Sequence, residues 1–163
     1  KPQLTETPMF ELNALRTQLQ PYLGWHGARV VFVAAFLIAL FRAKTVNLSE
    51  LATAFPGLAK PESHYKRQQR FFRTFELDYA VIALFVVAWL EIPEPTELAV
   101  DRTQWDVGKT PVIILTLGVV HENIAFPLVW PMLVMKGTSH TDDRFNLMER
   151  IFALFPHVRV CFL

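Results

Sequence analysis

Two charge-free apolar runs of twelve residues each, Val30–Phe41 and Tyr79–Leu90, place the strongest constraint on the fold of this chain. A helix needs about 20 apolar residues to cross a bilayer, whereas runs of about 10–14 residues are more often buried core helices. Arg29 and Arg42 flank the first run, and acidic residues flank the second. The pattern therefore predicts two core helices and weighs against a membrane protein.

The composition fits a globular protein of one or two domains. A chain of 163 residues with 52% apolar residues can bury a sizeable core, and 13% aromatic residues exclude a disordered protein. The single cysteine, Cys161, excludes a disulfide framework and a cysteine-based zinc site, and it fits a reducing compartment. No signal-peptide pattern is visible.

Residues 1–92 carry the spacing and end signals of helices. Asn47 and Glu50 have the spacing of a capping box, and Pro56 and Gly57 end the helix that it begins. A second start follows, with Pro61 near the first turn and a serine able to cap. The predicted helices are Phe10–Leu19, Val30–Phe41, Asn47–Phe55, His64–Phe75 and Tyr79–Leu90.

The hydrophobic period changes after a linker at Pro93–Thr96. A short apolar run ends at Asp101, and β-branched residues dominate Pro111–Val120. Two prolines in Ile124–Met135 predict an edge strand or a bent strand. A helix at Thr141–Phe155 and a final strand from residue 158 complete the order β-β-β-α-β. The sequence thus predicts the α+β class, with domains at residues 1–92 and 93–163.

Two partial motifs do not meet the requirements of known sites. Gly108–Thr110 looks like the end of a phosphate-binding loop, but Thr103 stands where that motif needs glycine, and a strand follows. His121 and Glu122 would begin a zinc-protease motif, but Ala125 replaces its second histidine. The other histidines have no ligand spacing and are interpreted as surface or capping side chains: His26, His64, His140 and His157.

A local basic segment is the clearest binding signal. The segment contains one acidic residue, Glu62, and five basic residues: Lys60, Lys66, Arg67, Arg70 and Arg73. The rest of the chain carries 11 basic and 14 acidic residues. Spacings of four and three place Lys66, Arg70 and Arg73 on one helix face. The segment predicts a helix-turn-helix-like unit that contacts DNA phosphates, and a solvated amphipathic face is the alternative.

Asp101 is the sharpest single position in the second half. It directly follows the apolar residues Leu98–Val100, and a carboxylate on a strand can hold a divalent cation. Taken alone, an aspartate at a strand end more often caps a turn or pairs with an arginine.

Residues Asp101–Gly108 resemble the Asp-Arg-Thr-x-Trp-x-x-Gly element of the IS-four group of insertion-sequence transposases. Other segments resemble the same group in the same order: Lys60–Phe72, Pro111–Leu115, Pro127–Trp130, Lys136–Ser139 and Glu149–Arg150. These enzymes are DDE (Asp-Asp-Glu) transposases with an RNase H-like catalytic core. The resemblance implies an N-terminal helical DNA-binding region followed by the truncated start of an RNase H-like core.

The resemblance also implies a mechanism for the complete enzyme. Three carboxylates hold two Mg²⁺ ions, which activate a water or a DNA 3′-hydroxyl for attack at phosphorus. Asp101 matches the first carboxylate, and Arg102 would contact DNA phosphate. The implied partners are double-stranded transposon ends and a second copy in a synaptic complex. The implied location is the bacterial cytoplasm, associated with DNA.

The chain departs from the family pattern in its carboxylates. The second Asp is expected just past Leu163 and the Glu much farther on, so neither belongs to this sequence. Because one carboxylate cannot hold two Mg²⁺ ions stably, we expect no catalysis by this chain. The start at Lys1 and the end inside an apolar run suggest a piece of a longer protein. The alternatives are a non-enzymatic DNA-binding regulator that competes with the full-length transposase and a membrane-associated helical protein.

Overall fold

A computed structural model describes residues 6–92, 97–130, 132–134, 141–157 and 159–160. The chain divides into two units, Lys1–Leu77 and Asp78–Leu163. Several positions singled out from the sequence lie outside the described residues: Pro93–Thr96, Pro131, Lys136–His140 and Cys161.

The first unit consists of helices. They are α1 (Glu6–Leu23), α2 (Gly27–Ala43), α3 (Leu48–Ala54) and α4 (Pro61–Thr74). Each helix covers most or all of a predicted one, and α1 and α2 extend farther at both ends. Helix α4 begins at Pro61 rather than after a Ser63 cap, since a proline at the first position loses no hydrogen bond that the helix needs.

Local side-chain contacts explain where the helices of the first unit begin. Asn47 caps α3, because its Oδ1 accepts a hydrogen bond from the Ser49 amide at 3.0 Å. Glu50 accepts from the Asn47 side-chain amide at 3.0 Å, whereas a capping box would have it accept from the Asn47 backbone N–H. His26 caps α2 by accepting from the Ala28 amide at 3.3 Å.

The core of the first unit combines aliphatic and aromatic side chains. Leu19, Val30 and Leu51 are almost completely buried, as is Phe32. An ion pair of 2.6 Å between Arg42 and Glu11 joins α2 to α1 at the surface. Because both side chains are partly exposed, the pair contributes little to stability compared with the core.

The second unit combines two helices with a five-stranded sheet. Its elements are α5 (Tyr79–Trp89), β1 (Glu97–Val107), β2 (Thr110–His121), β3 (Ile124–Val129), β4 (Met132–Val134), α6 (Thr141–Leu154) and β5 (Arg159–Val160). The strand order is β3-β2-β1-β5, and β4 also pairs with β2. Strands β1, β2 and β3 are antiparallel, and β5 runs parallel to β1. The class is therefore α+β, and the predicted bent strand is divided into β3 and β4.

Helix α5 belongs to the sheet unit, although the sequence analysis grouped it with the N-terminal helices. Ala83 of α5 lies in the same buried cluster as Leu98, Leu117 and Ile151. The helix also contacts β3. Its uniform apolarity, which predicted a buried helix, does not specify which neighbours bury it.

Strand β1 is longer than the sequence indicated. The sequence pattern predicts a strand that ends at Asp101, but pairing with β2 continues from Leu98 to Val107, so Asp101 lies inside the strand. Gly108, at φ +65°, then makes the turn to β2. The polar side chains of β1 are exposed, and an antiparallel strand can continue through such residues when one of its sides faces water.

The sheet packs one face against the helices. Leu98 of β1 and Leu115, Leu117 and Val119 of β2 are buried on this face. Next to them Gly118 lies at an irregularity in the β2–β3 pairing, where an added Cβ would approach the Phe126 carbonyl oxygen to 2.7 Å. A glycine is therefore required at the irregularity.

The described helices were compared with the length and apolarity that a bilayer demands. None of them is by itself long and apolar enough to cross a membrane. Helices α2 and α3 reach the required length and composition only as a pair, with a bend of 99° between them.

Candidate nucleic-acid interface

The basic segment of the sequence forms the exposed side of α4. Lys66, Arg70 and Arg73 recur at spacings of four and three residues, and all three are exposed. We call these three residues the basic face. Lys60 is exposed at the N-cap of the helix, and Arg67 is exposed beside the basic face. The structure thus brings five of the predicted DNA-binding residues together on one helix.

The inner side of α4 is anchored to α3 by a buried amide. Gln68 is completely buried. In the amide orientation that satisfies both partners, it donates to the Leu48 carbonyl at 3.1 Å and accepts from the Ala52 amide at 3.3 Å. Because a buried polar group is costly without its partners, this contact fixes α4 relative to α3.

Aromatic contacts attach α4 to α2. Phe71 stacks on Phe32 with ring centroids 4.3 Å apart, and Phe75 meets Trp25 edge-on at 5.0 Å. These contacts leave Phe71 and Phe75 half-buried. Phe72 differs, since it is 48% exposed.

Arg67 is held differently from the basic face. Its guanidinium carbon lies 5.2 Å from the centre of the Phe32 ring, a cation–π distance. Partial burial lowers the pKa of Arg67, but a guanidinium stays protonated at neutral pH. Arg67 therefore carries its charge at the edge of an aromatic contact.

A buried histidine lies on the inner side of the same helix. His64 is 6% exposed, and its Nε2 has no hydrogen-bond partner among the described residues. Burial, and then the positive charge of Arg67, lower the pKa of His64, while a hydrogen bond with the Ala59 backbone acts in the opposite direction. The surface or capping role predicted for His64 is wrong, whereas His26 caps α2 as predicted.

The basic face has no carboxylate partner in the part of the chain that the structure describes. There, the ion pair between Arg42 and Glu11 is the only one. Glu62, the acidic residue of the basic segment, lies in the first turn of α4, where its charge favours the helix dipole. The positive charge of the face is therefore free to attract an external anion.

One arginine outside the predicted set, Arg29, lies near the carboxyl end of α4. Arg29 of α2 is exposed, and its guanidinium carbon lies 4.5 Å from the centre of the Phe75 ring. The fold thus brings a further cation to the carboxyl end of α4. In the sequence, Arg29 is only the residue before an apolar run. Its contact with Phe75 depends on how α2 packs against α4, and the sequence carries no local signal for this packing.

The remaining predicted site residues, Asp101 and Arg102, lie in the second unit. Both are exposed on β1. Asp101 is opposite Thr116 and accepts a hydrogen bond from the Thr103 hydroxyl at 3.2 Å. Arg102 is opposite Leu115 and so lies on the other face of the strand.

The surroundings of Asp101 do not fit the two Mg²⁺ ions that the resemblance implies. Its carboxylate accepts a hydrogen bond from one hydroxyl group, whereas a two-metal centre needs bridging and flanking carboxylates. Among the described residues, no group of three His, Cys, Asp or Glu side chains is close enough to hold a metal ion.

Comparisons with known proteins give no further assignment. Neither a protein-family model, nor a curated protein, nor a solved structure matches the chain.

Proposed function

We propose that this chain is a DNA-binding protein that corresponds to the N-terminal part of a DDE transposase of the IS-four group. It binds double-stranded DNA through the first unit and does not catalyse strand cleavage or transfer. The observation that carries the proposal is the basic face of α4. Three exposed cations there have no carboxylate partner in the described part of the chain, and the α3 contact of Gln68 holds their helix in place.

Phosphate is the anion that suits such a surface. Lysine and arginine side chains on one helix face neutralise successive phosphates of a duplex, and the released counterions favour binding. A helix anchored to its neighbours loses little backbone freedom when it binds, so the backbone positions that carry the cations are already fixed. Binding through phosphates also predicts a strong dependence on salt concentration.

The second unit supports the transposase part of the proposal by its element order. Three antiparallel strands, a helix and a strand parallel to β1 follow in the order that the resemblance implies for the start of an RNase H-like core. Asp101 lies on β1, the strand between β2 and β5. The resemblance implies a second carboxylate at the end of the strand that includes β5. Because neighbouring parallel strands run in the same direction, this second carboxylate would lie on the strand next to Asp101.

Among the described residues, Asp101 does not belong to a cluster of carboxylates that could hold a metal ion. This favours a role without catalysis. The chain would then act as a regulator that occupies transposon ends in competition with the full-length transposase. The proposed setting is the bacterial cytoplasm, and a homodimer would form in the synaptic complex of the full-length enzyme.

The test measures binding of a fluorescein-labelled duplex of about 30 base pairs, or three helical turns, by anisotropy at about 50 and 200 mM salt. The test variant combines Arg70→Ala with Arg73→Ala. The control variant combines Arg16→Ala with Lys109→Ala, which removes the same charge from two other exposed positions. The measured quantity is the ratio of Kd at the higher salt concentration to Kd at the lower one. Because two phosphate contacts are lost, this ratio should be about 12-fold smaller for the test variant than for the wild type, and the control variant should keep nearly the wild-type ratio.

No binding by the wild-type chain, or equal losses in both variants, would contradict the proposal. A selection from a random duplex library separates the two forms of the function. Enrichment of one sequence supports recognition of transposon ends. Retention without enrichment supports general DNA binding and contradicts competition at specific ends.

A further inference from the structure

Two glutamines that are adjacent in α4 have opposite environments. Gln68 is completely buried and bound to α3, whereas Gln69 is exposed and has no hydrogen-bond partner among the described residues. Successive residues of an α-helix are rotated by about 100° around its axis, so the fixed inward position of Gln68 places Gln69 on the outer side. A role in holding the fold together therefore accounts for the first amide and not for the second.

Gln69 lies on the same side of α4 as the basic face. Around the helix axis it is about 60° from Lys66 and about 40° from Arg73. Lys66 is three residues before it and Arg73 is four residues after it, so both cations are its neighbours on the helix surface. On its other side Phe72 is 48% exposed, so the open surface continues past Gln69. The amide is thus accessible to a duplex that Lys66 and Arg73 bind.

The uncharged amide adds little to phosphate binding, but it matches a base. Phosphate oxygens only accept hydrogen bonds, and a neutral side chain releases no counterion when it meets them. In the major groove of B-DNA, which admits an α-helix, adenine presents its N7 acceptor beside its N6 amino donor. The glutamine amide carries a donor and an acceptor, and it can bind both groups of adenine at once.

We infer that Gln69 is a base-reading residue of the DNA surface and that it selects adenine in the major groove. The inference rests on the proposed function and adds sequence recognition to the phosphate binding of the basic face. Lys66 and Arg73 hold the exposed side of α4 against the duplex, and Gln69 beside them reaches a base edge. Gln69 therefore determines which sequence is preferred, whereas the cations determine how tightly duplexes in general are bound.

The first experiment uses the full chain and selects binders from a random duplex library with the wild type, Gln69→Ala and Gln18→Ala. The wild type should enrich a sequence with adenine at one position, and Gln69→Ala should lose the preference at that position alone. Gln18→Ala is the matched control, because it removes the same amide from an exposed position of α1, and it should enrich the wild-type sequence. All three chains should keep the same ratio of Kd at the two salt concentrations, since no charge changes.

A second measurement tests the adenine contact itself on the enriched duplex. Replacing the selected A·T pair by G·C should weaken wild-type binding about 5- to 150-fold, the range for one bidentate contact, and should leave Gln69→Ala nearly unchanged. Replacing only that adenine by 7-deazaadenine removes the N7 acceptor and keeps the base pair. This change should also weaken the wild type and not Gln69→Ala, whereas a purely structural role of Gln69 would make both chains respond alike.

The outcomes separate this inference from the proposed function. If the wild type binds duplexes but enriches no sequence, or if Gln69→Ala keeps the adenine preference, Gln69 is a solvated surface residue and the inference fails alone. Equal weakening of all duplexes by Gln69→Ala would also contradict it, because a base-reading residue changes preference and not general affinity. If the wild-type chain binds no duplex, both proposals fail.

Discussion

The two units differ in net charge. The first unit, residues 1–77, has ten basic and five acidic residues, whereas residues 78–163 have six basic and ten acidic residues. The near-neutral charge of the whole chain therefore hides a cationic helical unit and an anionic sheet unit. A surface that binds polyanions is expected on the first unit, where the fold also exposes Lys66, Arg70 and Arg73 on one helix.

The cores differ as well. In the first unit aromatic rings join α4 to α2, and the inner side of α4 also carries the buried polar residues His64 and Gln68. In the second unit aliphatic residues of the sheet, such as Leu98 and Leu117, pack against α5 and α6. Aromatic stacking at the edge of a core can hold charged side chains in place, whereas an aliphatic core supports a sheet. The two units therefore differ in the side chains that build their cores.

Core truncations test whether the two cores are separate, and they have the largest expected effect. Leu51→Ala in α3 and Leu117→Ala in β2 each remove a completely buried side chain, and each should lower the free energy of unfolding by about 2–5 kcal/mol. Hydrogen exchange measured on peptides should show lost protection only in the unit that carries the substitution.

The matched control is Leu58→Ala, which removes a fully exposed leucine and should change stability by less than about 0.5 kcal/mol. Equal loss of protection across residues 6–77 and 78–157 after either core substitution would show a single cooperative core. The comparison between the units would then describe composition and not folding.

Much of this fold is predictable from local sequence signals. The length of Val30–Phe41, the cap at Asn47 and the spacing of Lys66 and Arg70 all predict features that the structure contains, because each depends on neighbouring residues. The extent of β1 was not predictable, since Asp101–Gln104 are four consecutive polar residues without the alternation typical of a strand, and only their pairing with β2 completes it.

The missed parts of the site depend on packing between helices. Arg29 lies over the Phe75 ring, and His64 is buried against Phe55, with ring centroids 5.1 Å apart. Neither contact has a signal within its own segment. Residues distant along the chain decide whether such a side chain is exposed, buried or stacked, so a single sequence indicates the cations of α4 but not their supports.

The buried histidine makes the first unit sensitive to pH. Because burial lowers its pKa, His64 takes up a proton at lower pH in the folded chain than in the unfolded chain, where its ordinary pKa is about 6.5. The stability of the first unit is therefore full above that pH and falls as the pH decreases below it. Urea unfolding of the wild type at about pH 7.5 and 5.5 should show this loss, and His64→Gln should reduce it.

His157→Gln is the matched control, because it removes an exposed histidine of the second unit and should leave the wild-type pH dependence unchanged. Hydrogen exchange should place the acid-induced opening in the peptides around α3 and α4. An identical loss in the wild type and His64→Gln would mean that other groups cause the pH dependence.

The smallest expected effect is that of Asp101→Ala. This substitution tests most directly whether the chain only binds DNA or also cleaves it. The Asp101 carboxylate has the Thr103 hydroxyl as a hydrogen-bond partner, and its surroundings do not fit a two-metal centre. Nicking of supercoiled plasmid DNA with Mg²⁺ or Mn²⁺ should therefore be the same for the wild type, Asp101→Ala and a protein-free control. Cation-dependent nicking by the wild type that Asp101→Ala abolishes would contradict this prediction. It would also indicate that the chain acts through Asp101 on the sheet and not only through the basic face of α4.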